Sequence, residues 1–326
     1  MDLSVKYMGL DLKSPLIIGS SGLTNSVEKI KELESFGAGA VVLKSLFEEQ
    51  ILFEADAAGK QNEFDYPEAL DYIKSYAKDD SINSYLKLIE DCKKETQIPI
   101  IASVNCVTEG EWLNFAKRVE KAGADALELN VSLLPTDIEK SSQENEKLYF
   151  DVIEQVKAVV NIPIALKMSH YSSGLANLIR TLSWTKKVDA FVLFNRYYNP
   201  DIDINSMKIT SSGVFSSPAD IAASLRWVAV LSDKIRTDIS ASTGVHSGTD
   251  IVKQLLAGAD TVQVVSAIYK HGPEYIKTMM DELTEWMTKK NFNSIEDYRG
   301  ELSYKNINNP VAFERIQFMK YFGGIE

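Results

Sequence analysis

Apolar residues recur along the chain in short, nearly continuous runs separated by stretches with helical periodicity. The runs begin near residues 15, 40, 98, 125, 162, 188, 235 and 260, and the helical stretches cover 26–36, 84–95, 109–122, 143–160, 174–186, 218–232, 248–257 and 272–290. A strand covered on both faces reads as such a run rather than as an alternation. Two entry signals repeat. In Gly37-Ala38-Gly39-Ala40, Gly123-Ala124-Asp125 and Gly258-Ala259-Asp260, a glycine closes a helical stretch and small residues lead into the strand. Glycine takes the left-handed helix cap without a Cβ penalty. In Ile98-Pro99 and Ile162-Pro163 a proline opens the strand, where no ladder donor is needed. Eight strand–helix units in one chain predict a closed α/β barrel, a (β/α)8 TIM barrel. A doubly wound open sheet fits less well: GSSGLT after the first strand is not a GxGxxG turn.

The whole chain, 1–326, reads as one domain with three additions. Residues 1–13 predict a hairpin turning at Met8-Gly9, placed to plug the barrel bottom. Residues 291–326 form a C-terminal tail with helical character. Residues 46–83, after the second strand, carry ten acids and three bases, hence −7 of the net −11. That insertion reads as a solvated acidic flap or subunit contact rather than a metal site, and no metal is expected. Long segments after a barrel strand belong to the rim that builds active sites. The acidic balance, 35 Lys+Arg against 46 Asp+Glu, offers nucleic acid no general attraction. Cys92 and Cys106 match neither a disulfide framework nor zinc spacing. No signal-peptide core and no membrane-length apolar stretch is visible, so a cytoplasmic protein is expected.

Polar residues follow directly on the apolar runs: Ser20, Ser21 and Gly22; Lys44 and Ser45; Asn105; Asn130 and Ser132; Lys167; Asn195 and Arg196; Ser242, Thr243 and Gly244; Ser266. A buried lysine is costly unless paired. Two at the ends of different strands suggest an anionic ligand. Thr243-Gly244 and Ser266, after strands seven and eight, sit where many barrels bind phosphate; a plain turn and helix cap is the rival reading. Asn amides beside lysine suit a flat heterocycle such as a flavin.

Taken in order and spacing, SPLIIGSSG, GAGAVVLKS, ADALELNVS, IPIALKMS, ISASTGVHSG and GADTVQVVSAIYKHGP resemble the dihydroorotate dehydrogenase family, FMN-dependent (β/α)8 barrels, from Leu3 to about Glu301. The resemblance implies an FMN oxidoreductase converting dihydroorotate to orotate in pyrimidine biosynthesis, with hydride passing to flavin N5. It places Ser20, Ser21 and Gly22 beside the isoalloxazine, Lys44 and Ser45 between flavin and substrate, and Asn105 and Asn130 near ring and substrate. Lys167 matches the lysine facing flavin N1 and O2, where a fixed cation stabilises reduced flavin. Asn195 matches a substrate-binding asparagine. Gly213, Thr243, Gly244 and Ser266 fall where the family holds the FMN phosphate. Homodimerisation is implied by the family's single-chain branch.

The departures are specific. The family's catalytic Cys or Ser position is Leu133, which cannot take a proton, and the substrate loop after strand two is replaced by the acidic insertion. Candidate bases at strand ends are Ser132, Cys106 and His170, with Lys44, Asn130, Ser132 and Asn195 as the catalytic set. His246 and His271 read as helix-start or loop residues. Arg196 is expected either to fork onto a carboxylate of a heterocyclic substrate or to pair with the acidic flap. Two further readings remain: a flavin oxidoreductase of this fold with another substrate, and a non-redox phosphate-binding barrel or a lyase using Lys44 or Lys167.

Overall fold

A computed structural model describes residues 1–47, 67–105, 109–197, 199–211 and 213–314. Eight parallel strands close on themselves: β3 (Leu16–Ile18), β4 (Ala40–Val42), β6 (Ile100–Asn105), β7 (Ala126–Asn130), β8 (Ile164–Met168), β9 (Ala190–Leu193), β12 (Asp238–Ser242) and β13 (Thr261–Val264). Pairing runs in chain order, and β13 returns to β3 with Val262 opposite Leu16. This is the expected barrel, and its interior is almost wholly buried.

Helices cover the outside: α1 (Val27–Ser35), α2 (Pro67–Glu95), α3 (Glu109–Lys121), α4 (Ser142–Lys157), α5 (Leu175–Trp184), α6 (Ile221–Leu231), α7 (Gly248–Ala257), the short α8 (Ser266–His271) and α9 (Tyr275–Lys290), with α10 (Val311–Glu314) in the tail. Ser26, Ser141 and Ser247 cap α1, α4 and α7 by accepting a backbone N–H with their side chains. Gly37, Gly123 and Gly258 hold φ of +106°, +94° and +108°, the left-handed stops that the repeated glycine signal implied.

A register device accompanies the strand starts. Asp125, Asp189 and Asp260 each stand one residue before a strand and accept an N–H at the start of the preceding strand, from Ile100, Ile164 and Ile239, at 2.8, 2.8 and 2.7 Å. Each carboxylate satisfies a ladder-end donor and locks neighbouring strands together at the barrel bottom.

The N-terminal hairpin forms as expected, β1 (Val5–Tyr7) against β2 (Leu10–Leu12), with Met8 and Gly9 both at positive φ. It plugs the bottom: Met8 N–H donates to Asp238 at 2.7 Å, and Tyr7 is buried. The tail returns to the helices through Gly300, Leu302 and Tyr304, whose N–H groups donate to Leu255, Leu256 and Ala229.

The insertion differs from a free flap. Residues 67–83 form the first part of α2, so the helix expected to open near 84 begins at Pro67, where proline fits a first helical turn. A two-residue strand β5 (Leu46–Phe47) pairs with the end of β6; residues 48–66 lie outside the described residues. An unanticipated hairpin, β10 (Pro200–Asp203) with β11 (Lys208–Ser211), rises after β9 and exposes Ile202, Ile204, Met207 and Ile209.

Candidate functional site

At the C-terminal ends of the strands the loops enclose a cavity of about 360 Å³. Ser20 and Ser21 after β3, Lys44 and Ser45 after β4, Asn130 at the end of β7, Lys167 on β8, Asn195 and Arg196 after β9, Thr243 and Gly244 after β12 and Ser266 after β13 all line it. The two lysines expected to share a ligand therefore do converge on one space.

Ser20 Oγ accepts the Ser45 N–H at 2.7 Å, and the Ser20, Ser45 and Ser103 hydroxyls form a chain with steps of 2.9 and 2.7 Å. That chain fixes the loops after β3 and β4 to the barrel wall. Asn130 Oδ1 and Asn195 Nδ2 are buried and make no hydrogen bond within the chain. A buried amide acceptor and a buried amide donor on a cavity wall, both unpaired, are costly unless a ligand satisfies them.

The rim after β12 is shaped for close approach. Thr243 and Gly244 hold φ of +79° and +80°. A Cβ on Gly244 would lie 2.0 Å from Ile221 N, so glycine alone fits there. The loop 213–217 is tied down from several sides. Ser216 N–H donates to Ser266 Oγ at 3.0 Å, Ser216 Oγ lies 3.0 Å from His246 Nε2, and Lys270 Nζ donates to Ser216 O at 3.1 Å. Burial, then the Lys270 charge, holds His246 below the usual imidazole range. His246 stands in the loop just before α7, as expected, whereas His271 closes the short α8 instead of starting a helix or lying in a loop.

Several expected residues stand elsewhere. Gly22, Asn105 and Gly213 do not line the cavity. A Cβ on Gly22 would meet the Tyr269 hydroxyl at 2.7 Å, so its place is a packing constraint. Asn105 ends β6 opposite Phe47. Gly213 serves through its carbonyl, which accepts from Arg196 at 3.1 Å. Ser132 is exposed on the loop after β7 and lines none of the described cavities. Leu133 is half-buried in a side cavity of about 190 Å³, its carbonyl accepting from Ser169 Oγ. Arg196 donates to Val214 O and Gly213 O at 2.8 and 3.1 Å, so its fork clamps the loop before α6 rather than standing free for a carboxylate. Half of its other expected partner, residues 48–66 of the acidic flap, lies outside the described residues, as does Cys106.

His170 lies beside the site in a separate cavity with Asn195 and Arg196. Its ring stacks on Tyr171 at 4.3 Å, its Nδ1 is buried without a partner, and burial lowers its pKa. Sequence reasoning missed Gln263 and Ser216, which also line the main cavity. Gln263 sits in the apolar run TVQVV, where one inward polar side chain leaves no periodic signal. Among the described residues no group of His, Cys, Asp and Glu is placed to hold a metal, and no helix is long and apolar enough to cross a membrane.

Comparison with known proteins matches the dihydroorotate dehydrogenase family model to residues 2–287. Similar relatives include the catalytic subunit of dihydroorotate dehydrogenase B (NAD(+)) of Thermoplasma volcanium, 27% identical over 92% of this chain and 98% of the relative. The same enzyme's catalytic subunit in Methanocaldococcus jannaschii is 25% identical over 89% and 94%. The chloroplastic dihydropyrimidine dehydrogenase (NADP(+)) of Arabidopsis thaliana is 25% identical over 92% of this chain and 76% of that protein.

Proposed function

The chain belongs to the dihydroorotate dehydrogenase family and is a dehydrogenase acting on CH–CH bonds, and from that premise we propose that it binds FMN at the strand-end cavity and oxidises dihydroorotate or a closely related ring. The single observation that carries the flavin reading is the set of unsatisfied groups on one wall. Asn130 Oδ1 and Asn195 Nδ2 lack partners, and the Lys167 ammonium lines the same space. A flat ring edged with donors and acceptors completes those amides, and the cation suits a ring that gains negative charge.

The residues divide by chemistry. Lys167, Asn130 and Asn195 would hold the ring. Thr243, Gly244 and Ser266 form a phosphate-sized rim where backbone comes close and side chains are small. Ser20 and Ser45 brace the loop that carries Lys44 to the open side, where a substrate would enter. When bound, FMN supplies the hydride acceptor. The protein's part is to orient the ring, exclude water and keep cationic charge at the developing anion.

The proton removed with the hydride needs an acceptor within reach. Leu133 cannot provide it, Ser132 is exposed and does not line the cavity, and Cys106 is outside the described residues. This favours, as a second reading, a flavin oxidoreductase of the same fold with a substrate other than dihydroorotate. Anaerobic addition of dihydroorotate to the FMN-loaded protein separates the two. Bleaching of the flavin supports dihydroorotate, whereas an oxidised spectrum at saturating dihydroorotate removes that substrate and leaves the flavin reading standing.

We also propose a homodimer in the cytoplasm. The apolar β10–β11 hairpin, with Ile202, Ile204, Met207 and Ile209 exposed in a row, is the face that supports it. Light scattering of the purified protein reads the mass directly, and a monomer would remove the proposal.

A further inference from the structure

Beneath the cavity floor lies a carboxylate that the reading above does not use. Glu128 is two residues before Asn130 on β7, and its side chain is 1% exposed. Its Oε2 accepts from Gln263 Nε2 at 2.6 Å. Its Oε1 makes no hydrogen bond and lies 3.6 Å from Lys167 Nζ. Lys167 Nζ in turn donates to Gln263 Oε1 at 3.3 Å. A barrel core is ordinarily filled by branched apolar side chains, and a buried carboxylate is costly unless paired.

The geometry of the trio is informative. An ammonium has three donors and no acceptor. Gln263 takes one donor, Glu128 faces a second, and the third remains for the cavity that Lys167 lines. The Gln263 amide has only one workable orientation, because turning it over would set its oxygen against the carboxylate and its NH₂ against the ammonium. Gln263 therefore seats the carboxylate with one end and the ammonium with the other.

We propose that Glu128, seated by Gln263, is a positioning residue for Lys167. It anchors the ammonium at the cavity floor and offsets part of its charge, and so sets how strongly the site stabilises negative charge on a bound ring. The inference rests on the flavin reading above. The other charged or titratable groups around the trio do not replace Glu128. Lys44 and Arg196 line the same cavity and are cations. Tyr7 from the N-terminal hairpin and Tyr85 from α2 are buried phenols, kept protonated first by burial and further by the field of Glu128. Asp238, at the bottom of β12, is occupied by the Met8 N–H.

Sulfite reports this stabilisation without turnover. Its sulfur lone pair forms a bond to the oxidised isoalloxazine, and the negative charge it brings settles on the pyrimidine side of the ring. Sulfite titration of the FMN-loaded protein at constant pH and ionic strength should show Glu128→Gln binding sulfite roughly tenfold or more tightly than wild type, since the isostere leaves the ammonium uncompensated. Glu128→Asp, which keeps the charge, should return close to wild type. Equal or weaker sulfite binding in Glu128→Gln overturns the proposal, because a merely structural carboxylate would be matched by its amide. Should Glu128→Gln not fold, Gln263→Leu takes its place. Freed from its seat, the carboxylate then draws the ammonium down, and sulfite binding should weaken at least about threefold; unchanged binding overturns the proposal. A wild-type protein that takes up no FMN brings down the flavin reading with this one. A loaded wild type with an unchanged Glu128→Gln brings down this one alone.

Discussion

Single residues at the rim carry constraints that can be tested one at a time. Gly244 combines positive φ with backbone contact at its missing Cβ. Gly244→Ala should therefore cost about 3 kcal/mol of stability in a denaturant titration and lower FMN retention. A variant as stable as wild type would show that the turn relaxes. His170 gives a pH signature. Burial lowers its pKa from the ordinary 6.5, so the folded state resists a proton that the unfolded chain accepts. Stability from this group is present above pH 6.5 and is lost as pH falls through the lowered folded value. His170→Asn should flatten the acid side of the stability curve, and an unchanged slope would assign that slope to other groups. Lys44 and Lys167 were legible in the sequence because a charge at the end of an apolar run stands out. Glu128 and Gln263 were not, because ALELN and TVQVV read as strands whichever side chain points inward.

At the scale of elements, the barrel bottom is held by charges set into the strand starts. Asp260 accepts the Ile239 N–H and pairs with Arg299, which also holds Glu296 at 2.7 Å. Burial raises Asp260 to about 6 against the pull of Arg299. An acid with a raised folded pKa contributes stability below its ordinary value of 3.8, and that contribution is lost as pH rises through about 6. Removing Arg299 exaggerates this. Arg299→Ala should lose roughly 2 kcal/mol at pH 7, from an uncompensated part-buried carboxylate, and much less at pH 4. Equal losses at both pH values would place the effect in packing instead. The strands and most helices were legible because glycine stops and Ile-Pro starts recur with the barrel period. The β10–β11 hairpin was not, since its apolar residues face outward and no core explains them. The start of α2 was hidden by its acids, which read as a flap until the backbone joined them to residues 84–95.

For the whole molecule, the closing of β13 on β3 turns scattered polar residues into one site. Ser20 and Ser266, far apart in sequence, line a single cavity because the first and last strands are neighbours. Fold and family were readable from the order of the motifs, whereas the acceptor for the substrate proton was not, because Leu133 stands at the position the resemblance reserved for it. The central claim is that this cavity binds FMN through the Lys167 wall. Titration of the flavin-free protein with FMN, followed by flavin fluorescence, tests it most directly. The account predicts one FMN per chain, with affinity weakened roughly tenfold or more in Lys167→Met, the worth of one hydrogen bond to a charged group. No saturable binding, or equal binding by Lys167→Met and wild type, would contradict it.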